Sequence, residues 1–278
     1  METIELFKQY LEHLFAGRRS QARELIFDAH DRGFGADKIL SLIIWPAMEQ
    51  IEKLYRENHI SKLAEHLATR INRMIAAQMQ GVLNKIPKNG KRILISCGES
   101  EQAELGGQIA SDLFEAEGWS VWFIGSGVAN DEIVKFANQN EPDLYLIYSS
   151  TPSELPAVRN MIRMFRELGI CPEMQIMFCG GVFNRAYGLH EEMKADLHAK
   201  NIREALCLSY EHAVRVVQEE KPQPGRRRRK RKHVSSRMEL LREELLSNDV
   251  EPPKESRIDK MEQLLKDLTS AENENTGP

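Results

Sequence analysis

Cysteine is scarce and unpaired: Cys97, Cys171, Cys179 and Cys207 are scattered through 278 residues with no CxxC pair. That spacing points to reduced thiols in a cytoplasmic protein, and away from a disulfide framework or a structural zinc site. No stretch approaches the roughly 18 consecutive apolar residues that span a bilayer. The opening METIELFKQYLEHLF carries acids early and lacks an apolar core with a cleavage site, so no secretory signal is expected. A P-loop, an HExxH helix and a Ser-His-Asp arrangement are all missing, which leaves the commonest nucleotide-hydrolysing, zinc-protease and serine-hydrolase chemistries without residues. There is no long internal repeat. Net charge is only -4, although it is unevenly placed.

What is present begins with helices. Ile4, Leu6, Phe7, Tyr10, Leu11, Leu14 and Phe15 form one apolar stripe, and Ala22, Leu25, Ile26 and Ala29 a second, closed by Gly33 and Gly35. Ile39 to Leu54 carries a third, with Pro46 expected to kink it or start it anew. Leu63, His66, Leu67, Ile71, Met74 and Ile75 make the fourth. Short links between four such helices favour an antiparallel bundle over residues 1–86. The turn-rich Ile86 to Gly90 then leads to a different pattern.

From Lys91 the chain alternates strand and helix. The expected strands are Arg92–Ser96, Ser120–Ile124, Leu144–Tyr148, Gln175–Cys179 and Glu204–Leu208. The expected helices are Ala103–Glu117, Asn130–Asn138, Ser153–Leu168 and Leu189–Leu197, with a closing one at Tyr210–Glu219. Five strands with interleaved helices predict a doubly wound, flavodoxin-like parallel sheet over residues 91–219. In such sheets ligands bind where the strands end, which directs attention to the Cys97–Gly107 loop.

Residues 220–278 change character. KPQPG leads into seven consecutive cations, Arg226, Arg227, Arg228, Arg229, Lys230, Arg231 and Lys232. The run either engages phosphate in a sequence-blind way or is a solvated linker, and without interleaved aromatics it gives no sign of base stacking. Two short amphipathic segments follow, Met238–Leu246 and Ile258–Leu268, before a polar end expected to be disordered.

The order bundle, linker, five-stranded sheet resembles the cobalamin-binding module of methionine synthase, corrinoid proteins and the photoreceptor-type transcription regulators. In that family the first loop reads acid, any residue, His, two residues, Gly. Here it reads Glu101-Gln102-Ala103-Glu104-Leu105-Gly106, so the acid and the glycine match while the cobalt ligand is replaced by Ala103. The regulators also carry Trp, nine residues, then Glu-His in the bundle, facing the upper side of the corrin. Tyr55 followed by Glu65-His66 keeps that spacing. The resemblance further implies that Ser149 or Ser150, after the third strand, meets the cofactor's nucleotide tail. Gly180-Gly181, after the fourth, would lie against it.

Each of these residues has a plainer reading. Gly106-Gly107 and Gly180-Gly181 serve equally as tight turns, and Ser149 and Ser150 as helix-capping loop residues. His66 and Tyr55 fit a bundle core, Glu65 needs a partner if buried, and Asp131 and Glu132 simply charge a helix start. A methyl group coordinates no metal, so what the resemblance leaves is either a cobalamin bound base-on and weakened, with His66 as the remaining candidate for an upper-face ligand, or a scaffold used independently of any ligand. On this reading the chain is a regulator or sensor, not an enzyme, with a protein or nucleic-acid partner on its basic tail and room for self-association. The alternatives are a corrinoid carrier in methyl transfer and a protein-interaction adaptor with a degenerate pocket.

Overall fold

The computed structural model describes residues 3–212, apart from the side chains at 101 and 102. The basic run Arg226–Lys232 and the segments Met238–Leu246 and Ile258–Leu268 lie outside the described residues. Among the described residues no helix is long and apolar enough to cross a membrane.

The chain opens with α1 (Thr3–Phe15) and α2 (Arg19–Asp31), whose Leu6, Tyr10, Leu14, Ala22 and Ile26 are fully buried. The third stripe is one helical path in three parts. It runs through α3 (Ala36–Ile39), a π-helical turn at Leu40–Ile44, and α4 (Trp45–Arg56). The expected disturbance at Pro46 takes this form. Proline has no N–H to continue an α-type ladder, and the turn before it widens, with Trp45 N–H donating five residues back to Leu40. α5 (Lys62–Gln80) starts at Ser61, whose hydroxyl accepts from Ala64 N–H. Asn72 on α5 links three helices: it accepts from the Tyr10 phenol at 2.9 Å and donates to the Ile44 carbonyl at 3.1 Å.

The sheet follows as β1 (Arg92–Cys97), α6 (Glu101–Ala116), β2 (Ser120–Gly125), α7 (Asn130–Asn140), β3 (Leu144–Tyr148), α8 (Leu155–Leu168), β4 (Gln175–Cys179), the short α9 (Gly181–Arg185) and α10 (Leu189–Glu192), β5 (Leu197–Ala199) and α11 (Ile202–His212). All pairings are parallel, in the order β2-β1-β3-β4-β5 expected of the flavodoxin-like class. β1, β3 and β4 are buried along most of their length, whereas β2 is an edge strand with Phe123 partly exposed. Both faces are covered: one apolar cluster joins α6 and α11 to the bundle, and the other gathers α7, α8 and α9.

The C-terminal part differs from expectation. Glu204–Leu208 lies inside α11, because Ile202, Ala205, Leu206 and Ser209 are buried at helical spacing. The fifth strand is instead the three-residue Leu197–Ala199, within and beyond what read as a helix from Leu189 to Leu197. The final helix thus begins at Ile202, ahead of Tyr210.

Bundle and sheet belong to one compact unit. Helices α4 and α5 pack on α6; Arg73 and Gln80 of α5 reach Glu104 at 3.5 Å and Asp112 at 2.7 Å, and Lys85, in the segment after α5, reaches Glu115 at 3.0 Å.

Candidate functional site

β1 and β3 are neighbours whose following helices go to opposite faces, so their carboxyl ends form the topological switch point. The loops leaving them are knit together. Gly98 N–H donates to the Tyr148 carbonyl at 3.0 Å, and Ser149 N–H to the Cys179 carbonyl at 3.0 Å. Ser100, the N-cap of α6, accepts from Ala103 N–H at 3.1 Å and meets the Ser150 hydroxyl at 2.9 Å.

The Glu154 carboxylate is the hub of the β3 loop. It accepts from the Ser149 hydroxyl and from the Ser150 and Thr151 N–H groups, at 3.3 and 3.4 Å. Thr151 and Glu154 form a capping box, which is why this short turn holds its shape. Gly180 has φ +115°, and its backbone lies directly on that of Ser149, where any Cβ would collide with the Ser149 carbonyl. Arg185 then closes the site from the β4 side. It donates to the Ser150 carbonyl at 2.6 Å and to Glu52 of α4 at 3.0 Å, bridging sheet and bundle.

From above, α4 presents Trp45, Glu49 and Glu52, spaced one and two turns apart. The Trp45 indole donates to Glu49 at 3.0 Å and packs edge-on against Tyr148, with ring centroids 5.3 Å apart. Burial raises the Glu49 carboxyl to about 7; the Trp45 hydrogen bond opposes this and Glu52 adds to it. Burial also pushes the Tyr148 phenol well up, with Glu49, Cys179, Glu52 and Glu154 adding in the same direction. The Cys97 thiol is pushed up to about 12 by burial, then by Glu104 and Glu154, with Arg73 opposing. It is therefore neither a thiolate nucleophile nor a ready metal ligand.

The structure brings Gly106, Ser149, Ser150, Gly180 and Gly181 into this one region. Ala103 is fully buried at the start of α6 and offers no donor atom. Tyr55, Glu65 and His66 sit instead at the α4–α5 end of the bundle. Tyr55 is partly exposed with the Lys62 ammonium over its ring, and His66 has a side chain 45% exposed. Glu65 turns inward and accepts from Thr69 at 3.3 Å, with Lys62 and His66 at 3.9 and 3.7 Å. Among the described residues no group of three or more His, Cys, Asp and Glu side chains could hold a metal ion.

Sequence reasoning missed Tyr148, Glu154, Trp45, Glu49 and Arg185. Of these only Glu154 had a local signal, the Thr151-Pro-Ser-Glu154 capping pattern.

Whether a full cobalamin fits turns on Gly106. The space beside its Cα is taken by the Tyr148 ring, since a Cβ built on Gly106 would fall within that ring's van der Waals envelope. The space beside Gly98 is taken by the Glu154 carboxylate in the same way. Gly180 lies on Ser149 because the ends of β3 and β4 are neighbours, so the space that the resemblance gives to the nucleotide tail is taken by Tyr148 and Glu154. These residues do not fit a tail there.

The comparisons match this architecture. Residues 91–206 match a family model described as a B12 binding domain, and residues 6–79 match a second with the same description. Dimethylamine corrinoid protein 3 of Methanosarcina acetivorans is 21% identical over 180 residues, which is 63% of this chain and 82% of that protein. Dimethylamine corrinoid protein 1 of the same organism is 25% identical over 113 residues, 41% of this chain and about half (52%) of that protein's length. The monomethylamine corrinoid protein of Methanosarcina barkeri superposes with TM-score 0.64 at 18% identity, covering 76% of this chain and 99% of that one, a likeness of fold.

These relatives correct the expectation of a photoreceptor-type regulator or sensor, because they are corrinoid proteins of methylamine systems. The corrinoid as cofactor class stands, since both models are named for it. With its bundle and its sheet matched in that order, the chain belongs to the B12-binding domain family.

Proposed function

We propose that this chain is a corrinoid protein of the methyl-transfer kind, a carrier that works with a methyltransferase and does not itself catalyse. The observation that carries this is the run of similarity to a dimethylamine corrinoid protein over 82% of that protein's length. A corrinoid ring would sit on the carboxyl ends of β1 and β3, beneath the α4–α5 end of the bundle. Support comes from α4, whose Trp45 packs on Tyr148 at the end of β3 and whose Glu52 bonds Arg185, and from the polar rim of Arg73, Glu104 and Ser126.

A second reading is favoured by Ala103 and the buried Tyr148: the frame serves as a protein-binding adaptor to a methyltransferase with no corrinoid held. One experiment separates the two. Purified protein is incubated anaerobically with hydroxocobalamin and with aquacobinamide, passed through gel filtration, and scanned in the visible. Corrin absorbance in the protein peak with either form supports the carrier. Its absence with both refutes the carrier and leaves the adaptor, which then must co-elute with a methylamine methyltransferase in its corrinoid-free state.

A further inference from the structure

We propose that Tyr148 and Glu154 are resident occupants of the slot between the β1 and β3 loops, so that this chain selects corrinoids lacking a nucleotide tail. The inference rests on the carrier reading and names the ligand class of that site.

Three observations carry it. The hydroxyl end of the Tyr148 ring lies on Gly106, while its other side meets Trp45 of α4, and the residue is only 1% exposed. Gly106 therefore admits the chain's own side chain, where it could have admitted a ligand. Gly98 does the same for Glu154, whose carboxyl group occupies the position of the absent Cβ.

The donors around Glu154 are already used. A nucleotide tail brings a phosphodiester, an anion that seeks converging N–H and O–H groups. At the end of β3 the candidates are the Ser149 hydroxyl and the N–H groups of Ser150 and Thr151, and all three point at Glu154. A phosphate arriving there would lose those bonds and face a carboxylate.

Charge acts in the same sense. Glu49, Glu52 and Glu154 all bear on the Tyr148 phenol. The cation nearest the loop, Arg185, is already bonded to Glu52 and to the Ser150 carbonyl. The slot is thus filled beside Gly106 and Gly98 and flanked by carboxyl groups. A corrinoid ring without a tail makes none of these demands.

The test is a visible-absorbance titration of the full chain with aquacobinamide and with hydroxocobalamin. Wild type should bind aquacobinamide at least about tenfold more tightly. Equal affinity, or preference for hydroxocobalamin, overturns the proposal. The Tyr148→Ala/Glu154→Gln variant, checked for folding by circular dichroism, should gain hydroxocobalamin and reduce the ratio to about threefold or less. A folded variant that keeps the wild-type ratio overturns it too. If wild type retains neither corrinoid, the carrier reading fails and the selection proposed on it fails with it, whereas retention of hydroxocobalamin at equal or higher affinity keeps the carrier and overturns the selection alone. Should the double variant not fold, Glu154→Gln alone takes its place in the same comparison.

Discussion

Glu49 makes the junction of bundle and sheet sensitive to pH. Its carboxyl is raised from 4.5 to about 7, chiefly by burial, with Glu52 reinforcing and the Trp45 indole opposing. An acid whose folded-state pKa exceeds its unfolded value binds its proton more tightly in the native state. Its contribution is fully present below the unfolded value and is lost as pH rises through the folded one. At about 1.4 kcal/mol per pH unit, the whole displacement is worth about 3 kcal/mol, reached above pH 7. Glu49→Gln keeps an acceptor for Trp45 and removes the charge. Wild type and variant should match in urea unfolding at pH 4, and the variant should be more stable by about 2–3 kcal/mol at pH 8.5. For a unit of this size that is about 5–10 °C in Tm. The comparison isolates Glu49, because Asp112 and His198 titrate alike in both proteins. Parallel stability–pH curves across that range would refute the argument, since they would mean the Glu49 charge is solvated in the native state.

Three further substitutions test the packing described above. Gly106→Ala should cost about 1–3 kcal/mol in urea unfolding, since the added methyl overlaps the Tyr148 ring; with Tyr148→Ala also present the added cost of the methyl should vanish. Asp112, raised to about 6 by burial despite the Gln80 hydrogen bond, behaves as Glu49 does. Asp112→Asn should leave stability unchanged at pH 3 and increase it by about 1–2 kcal/mol at pH 8. Arg185→Ala removes one bond to Glu52 and one to the Ser150 carbonyl. It should cost about 1–2 kcal/mol, allowing for its partial exposure, and speed hydrogen exchange at Ser150 and Thr151.

The central frame was readable because its signals are long and periodic. β3 and β4 read as unbroken apolar runs, and both ends of each agree with the structure. The fifth strand was not readable, because three residues carry no period of two. Its displacement had one local clue: Asn201-Ile-Arg-Glu204 is a helix-start pattern. Asn201 indeed accepts from Glu204 N–H at 3.0 Å while Glu204 accepts from Lys200 N–H. The site was legible as a place and not as contents. Ala103, Gly106, Ser149 and Gly180 were marked by the resemblance to the family's motifs. That Tyr148 points across the sheet edge onto Gly106, and Glu154 back onto Gly98, is a matter of rotamer and loop path. No spacing rule reaches that far.

Ala103 and Tyr148 are linked through α6: Ala103 lies one turn before Gly106, on which the Tyr148 ring packs. An alanine facing an empty slot would leave unfilled volume beside Gly106, and buried cavities cost stability in proportion to their size. Tyr148 supplies the missing volume and an edge-on contact to Trp45, so its burial helps hold the bundle on the sheet. The linkage makes a definite forecast for Ala103→His, the change that restores the family's ligand. Residue 103 is fully buried and one turn before Gly106, so an imidazole must compete with packed neighbours. Alone, the substitution should cost about 1–3 kcal/mol and retain no more hydroxocobalamin than wild type. Combined with Tyr148→Ala, which vacates the slot, it should retain more than Tyr148→Ala by itself. Gel filtration with visible spectra reads both outcomes. A clear gain from Ala103→His in the presence of Tyr148 would show the slot to be open already, and the linkage argued here would be wrong.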